Sequence, residues 1–168
     1  MIIMFVRHGD SVNDKLTELG KTQCELAVKG KEEYEFSKIY ASVAGRCKET
    51  AEYFKKRYGL EIEYLRGVKD RELLSGSPKN EDEQEWYDNY LNKNYSHKNP
   101  EGCKDFLQRN FSEFDAILKR HKDKNENVIL VAHSCTFYAI QEYFNPSDNE
   151  NIKYYRLGNC SKVYFEIN

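Results

Sequence analysis

Two short runs of hydrocarbon side chains, IIMFV at residues 2–6 and VILVA at residues 128–132, constrain this chain more than any other feature. Neither run alternates polar with apolar residues, so neither can keep one face in water. Each reads as a strand buried on both faces, which is what a parallel sheet covered by helices contains. Each run also ends in a histidine: Arg7, His8 and Gly9 follow the first, and His133 and Ser134 follow the second.

The segments between them alternate strand and helix. A helix capped by Thr17 is expected within residues 16–34, and a short strand at 38–42. The stretch GRCKETAEYFKKRYG reads as a helix with basic residues in its last turns and Gly59 at its end. LEIEYL alternates and reads as a strand with one solvated face. CKDFLQRNFSEFDAILKRHKDK repeats its apolar residues at three- and four-residue steps, as an amphipathic helix does. A helix at 136–144 and strands at 153–157 and 160–168 complete the pattern. The expected fold is α/β, a three-layer α/β/α sandwich with a mainly parallel central sheet. One domain over residues 1–168 is expected, with a cap-like insertion at about 77–100. That insertion is polar and acidic and carries Trp86, Tyr87, Tyr90 and Tyr95, which could wall a pocket or glue the segment to the sheet.

Composition narrows the function classes. The chain has 168 residues, 32% of them charged and 39% hydrophobic, with a formal charge of −2. That balance fits a globular chain and gives no electrostatic reason to expect a nucleic-acid partner. No apolar run approaches the ~20 residues needed to span a bilayer, and no signal-peptide pattern precedes the first strand, so a cytoplasmic protein without a membrane partner is expected. The five cysteines show no C-x-x-C spacing and are expected to be reduced, not a disulfide framework or a zinc site. Oligomeric state is not legible.

Ligands of open α/β sheets bind beyond the carboxyl ends of the strands, where both histidines lie. His97 and His121 fall in polar stretches and read as ordinary surface or core residues. Arg7 adjoins His8, and Arg46 opens the helix after the second strand, so two guanidinium forks share that edge with two imidazoles. This is a phosphate-binding composition, because arginine matches phosphate oxygens bidentately and helix starts add backbone donors. A metal site fits less well, since arginines repel a cation.

At these residues a resemblance enters. FVRHGDS resembles the R-H-G signature of the histidine phosphatase (phosphoglycerate mutase-like) superfamily. LTELGKTQ, IYASVAGRCKETAEYF, DRELLSG, NPEGCKDFLQR, VILVAHS and NCSKVYFEI resemble its further motifs in order. The resemblance implies a phosphoglycerate mutase-like fold and a small phosphorylated substrate, with no cofactor and no metal. It implies His8 as nucleophile, with Arg7, Arg46 and His133 on the phosphoryl oxygens, and Glu72 as acid and then base. Ser11 and Ser134 are candidate further phosphate contacts.

Three departures stand out. The gap between RHG and LT is short, Asn13 comes one position early with Asp14 in the asparagine's place, and AHS replaces histidine-glycine. The first two argue against mutase activity. The expected function is a metal-independent phosphomonoesterase acting through phosphohistidine. The alternatives are a protein phosphohistidine phosphatase, which Glu72 argues against, and a non-catalytic phosphate-binding regulatory module.

Overall fold

The structure is a computed structural model that describes residues 1–30, 32–71, 73–74, 77–98, 100–153 and 157–168. Its sheet contains β1 (Ile2–Arg7), β4 (Lys38–Ser42), β5 (Ile62–Leu65), β6 (Val128–Ala132) and β7 (Lys162–Glu166) in the order β5-β4-β6-β1-β7. β1 and β4 both pair parallel to β6, β5 pairs parallel to β4, and only β7 runs antiparallel, beside β1. The two apolar runs are therefore neighbours at the sheet centre, with Ile3 opposite Val128 and Arg7 opposite Ala132.

Strand alternation divides the core in two. Ile3, Phe5, Val128 and Leu130 face Phe106, Phe114 and Ile117 of α4 (Cys103–His121) and Phe137 and Ile140 of α5 (Ser134–Phe144). Met4, Val6, Ile129 and Val131 face Cys47, Ala51 and Phe54 of α2 (Gly45–Tyr58). α1 (Glu18–Lys29) packs beside α2 on that second side. The expected three-layer α/β/α arrangement with a mainly parallel sheet is the observed one.

The elements differ from expectation at their ends. α1 stops at Lys29 because Gly30 ends it, and the capping Thr17 accepts from Gly20 N. α5 starts at Ser134, directly after the histidine. The strand expected at 153–157 falls partly on residues 154–156, outside the described residues, and Lys153 and Leu157 belong to no strand. Within the expected insertion, α3 (Glu81–Asn89) is capped by Asn80 and carries Glu81, Asp82 and Glu83 in its first turn. It is not merely draped over the surface: Trp86 is 1% exposed and donates to Glu101 O.

A hairpin escapes the sequence pattern because its strands have two residues each, β2 (Ser11–Val12) and β3 (Lys15–Leu16). Its central residues, Asn13 and Asp14, both have positive φ, 50° and 61°. That is the sense of twist a two-residue hairpin needs, and Asn and Asp tolerate it better than other non-glycine residues. The turn after β1 then lies against α1 at Gly20, where a Cβ would fall 2.0 Å from Asp10 O.

Leu130 is fully buried at the sheet centre. Leu130→Ala is expected to lower stability by about 2–5 kcal/mol, read as a lower urea midpoint with an unchanged slope.

Candidate active site

The carboxyl ends of β1, β6 and β4 deliver His8, His133 and Ser42 in adjacent positions. The two imidazole centroids are 5.3 Å apart. Between them lies the guanidinium of Arg46, the second residue of α2. Its Nε donates to His8 Nε2 at 3.2 Å, and its Nη2 lies 3.2 Å from His133 Nδ1. Its Nη1 donates to Asp14 Oδ1 at 2.7 Å, and Nη2 donates to Asp70 Oδ2 at 2.6 Å.

These contacts orient both rings. His8 Nδ1 sits 2.8 Å from Gly9 O, a carbonyl that can only accept, so the proton of the neutral ring is on Nδ1. The lone pair is then on Nε2, facing Arg46. His133 Nε2 is 2.9 Å from Ser42 Oγ and 3.5 Å from the buried Cys47 thiol. A hydroxyl both donates and accepts, so Ser42 can hold His133 in either tautomer.

The backbone behind His8 is tied from several directions. Thr50 Oγ1 accepts from Gly9 N at 3.1 Å and donates to Arg46 O at 2.8 Å, linking the two residues' segments. Asn159 Nδ2 donates to His8 O at 3.0 Å, and Cys160 N donates to Arg7 O at 3.0 Å. Asp10 is held by Thr17, whose hydroxyl donates to its carboxylate at 2.6 Å, and by Gln23, which accepts from its N at 2.8 Å. Arg7 Nη1 donates to Leu157 O, while its Nε is buried without a partner among the described residues.

Arg7, His8, Arg46 and His133 thus lie at one sheet edge. Ser134 opens α5 beside His133, and Ser11 stands on β2 two residues beyond Gly9. Glu72 lies outside the described residues. Two carboxylates that the sequence did not single out as site residues are present instead. Asp70 contacts Arg46 and lies 3.4 Å from His133 Nδ1; its only sequence signal is adjacency to the Arg71-Glu72 pair. Asp14 reaches the site from the hairpin tip, where its carboxylate accepts from Gly45 N at 2.7 Å and so caps α2. Its signal is the displaced asparagine.

The electrostatics follow from burial and these contacts. Burial pushes the His8 pKa below its ordinary 6.5, and Arg46 and Arg7 push it further, while the Gly9 carbonyl opposes them. Burial lowers His133 to about 3 against the opposing pull of Asp70. Burial acts to raise the Asp70 pKa, but His133, the Cys135 thiol, Arg46 and His8 together hold it below the usual carboxylate range. At neutral pH both rings are uncharged and Asp70 is ionised. The Arg46 guanidinium then pairs with two carboxylates, Asp14 and Asp70.

The sequence profile of the histidine phosphatase superfamily, branch 1, matches residues 3–168. The chain belongs to this family. Among solved structures it is similar to YhfR of Bacillus stearothermophilus, at 22% identity and a TM-score of 0.78, covering 99% of this chain and 91% of that one. It is also similar to a mutant phosphoserine phosphatase of Entamoeba histolytica in complex with phosphoserine, at 19% identity and a TM-score of 0.74, covering 98% and 90%. A mycobacterial glucosyl-3-phosphoglycerate phosphatase matches at 19% identity and a TM-score of 0.71, covering 97% and 88%. At these identities the likeness is one of fold. No curated protein matches the chain.

A buried neutral histidine makes stability depend on pH. Below pH 6.5 the unfolded chain takes up a proton that folded His133 refuses until about pH 3. Stability is therefore complete above pH 6.5 and is lost as pH falls through that window, by up to about 1.4 kcal/mol per pH unit. Imidazole NMR is expected to show no titration of His133 between pH 8 and 5. The urea midpoint is expected to fall over that range.

Proposed function

We propose that this protein is a metal-independent phosphomonoester hydrolase that passes a phosphoryl group from a small phosphorylated metabolite through His8 to water. The observation that carries this reading is the orientation of His8. Its Nδ1 is 2.8 Å from Gly9 O, and its Nε2 points toward Arg46 in the company of His133. An imidazole fixed at one nitrogen and neutral at pH 7 is a nucleophile that needs no separate base.

In the first step His8 Nε2 attacks phosphorus in line. The N–P bond forms as the ester P–O bond breaks, and the alcohol oxygen takes a proton from Glu72. In the second step the Glu72 carboxylate takes a proton from water, whose oxygen displaces phosphate from His8 and restores the imidazole. Arg7, Arg46 and His133 hold the oxygens on which charge accumulates. Neutral His133 presents its single ring proton at Nδ1 to such an oxygen when its Nε2 accepts from the Ser42 hydroxyl, 2.9 Å away. Ser134 and Ser11 are further donors within the phosphate site.

Asp70 is not the acid. It is held ionised by its neighbours, so it has no proton to give at neutral pH, and it acts by orienting Arg46 and His133. The acid role therefore stays with Glu72, on the strength of its place in the family motif. The small-molecule substrate class is supported by the phosphoserine and glucosyl-3-phosphoglycerate phosphatases whose fold this chain shares.

Hydrolysis of p-nitrophenyl phosphate is expected to persist in EDTA. His8→Ala is expected to lower kcat by at least about 10³-fold, and Arg46→Ala by about 10²–10³-fold. Glu72→Gln is expected to spare the first-step burst of p-nitrophenol, to slow the turnover that follows through loss of the base, and to cost alkyl phosphates about 10²–10⁴-fold in the first step itself. A wild type inert between pH 5 and 8, or a His8→Ala enzyme that keeps its rate, would sink the reading.

The pH profile gives a second check. His8 must be neutral to attack, and its pKa lies below 6.5. The acid limb of kcat/KM is therefore expected below pH 6.5, on a substrate whose own phosphate ionises lower still.

A further inference from the structure

Beside the histidine site lies a cavity of about 140 Å³. Asp70 and Ser134 belong to both. The rest of its wall is mainly hydrocarbon and aromatic: Leu73, Tyr90, Leu91, Phe106, Tyr138 and Ile152. The expected insertion contributes Tyr90 and Leu91 to it, whereas Trp86 and Tyr87 turn inward. Trp86 lies 5.5 Å from the Arg71 guanidinium, and Tyr87 donates to Leu74 O.

Asp70 and most of Arg71 in this wall are already engaged. Asp70 Oδ2 accepts from Arg46, and Oδ1 accepts from Arg71 N at 3.1 Å and the Cys135 thiol at 2.8 Å. Arg71 donates through Nε to Glu101 O and through Nη1 to Tyr90 O, with its guanidinium packed against Trp86, Tyr90 and Phe106. Its Nη2 has no acceptor among the described residues and is itself covered from solvent. A second, more polar cavity, lined by Gln141, Glu142 and Lys153, shares no residue with the histidine site.

We infer that the apolar cavity receives the alcohol part of the substrate, and that the preferred substrates are phosphomonoesters of a compact apolar alcohol, such as an aryl or branched alkyl phosphate. This rests on the phosphatase reading for its chemistry. The occupant follows from continuity: a phosphoryl group among His8, Arg46 and His133 has this cavity as its neighbour across Asp70. The size follows from volume, since an apolar cavity of roughly 150 Å³ accommodates a benzene ring. The polarity follows from the wall. A polyhydroxylated leaving group would surrender its water to a wall that is mainly hydrocarbon and aromatic, with the Asp70 carboxylate already paired, which is the costly direction of mismatch.

The test is calorimetric binding of three non-hydrolysable phosphonates to the full chain: methylphosphonate, phenylphosphonate and 2,3-dihydroxypropylphosphonate. Phenylphosphonate is expected to bind at least about tenfold tighter than methylphosphonate, and the dihydroxypropyl compound no tighter than methylphosphonate. Leu73→Asp is a safe variant for folding because Leu73 is 62% exposed. It is expected to shrink the phenyl preference and leave methylphosphonate binding unchanged, and Ile152→Phe, which fills the cavity, is expected to do the same. Three phosphonates that bind within about twofold of one another, or not at all, overturn the inference. So does a phenyl preference that survives both variants, since the ring would then sit elsewhere. A protein that prefers phenylphosphonate yet hydrolyses no ester keeps the cavity assignment and loses the phosphatase reading. One that hydrolyses polar esters while showing no phenyl preference does the reverse.

Discussion

The guanidinium of Arg46 is the point at which the rest of the site is assembled. Its three nitrogens reach four groups from four separate segments: His8 after β1, Asp14 on the hairpin, Asp70 after β5 and His133 after β6. A planar ion with fixed donor directions can satisfy four such partners only if all four segments end at the same level. The sheet sets that level. β4, β6 and β1 are adjacent and parallel, so their carboxyl ends align, and α2 returns from β4 with its first turn over the gap. The buried alternation of Ile3, Phe5, Val128 and Leu130 against Met4, Val6, Ile129 and Val131 is what keeps that register from slipping.

Charge balance at the site is unusual for an anion receptor. The Arg46 guanidinium sits with two carboxylates, and burial keeps both imidazoles uncharged. Affinity for a phosphate must then come from directed donors more than from net positive potential. On the proposed function, Arg7 Nε, buried with no partner among the described residues, and the start of α5 beside His133 are the candidates for such donors.

Much of this was legible in the sequence, for reasons that differ between residues. The strands at 2–7 and 128–132 could be read because burial on both faces demands unbroken hydrocarbon. His8, His133, Arg7 and Arg46 could be placed at one edge because strand ends in a parallel sheet coincide. Several residues of the family-like motifs turn out to be architectural: Thr17 and Gln23 grip Asp10 while Gly20 leaves room for its carbonyl, Thr50 couples Gly9 to Arg46, and Asn159 and Cys160 bind the backbone of residues 7 and 8. Asp14 and Asp70 were not legible as site members. Each acts through contacts over long sequence separation, and a lone aspartate in a polar stretch carries no periodicity to mark it. The hairpin that carries Asp14 was equally silent, being too short to alternate.

That hairpin has a consequence for the unliganded protein. Asp14 holds Arg46 Nη1, the donor that the proposed function gives to a phosphoryl oxygen, together with the first amides of α2. The carboxylate at the tip of the Asn13–Asp14 turn is thus a tethered competitor, a ligand the chain supplies to its own receptor. Because the tip projects from two-residue strands outside the main sheet, the strength of that competition is set by a turn and not by the core. On the proposed function, two exposed residues of this chain would therefore set how readily Arg46 is released to a phosphate, with His8, Arg7 and His133 left in place.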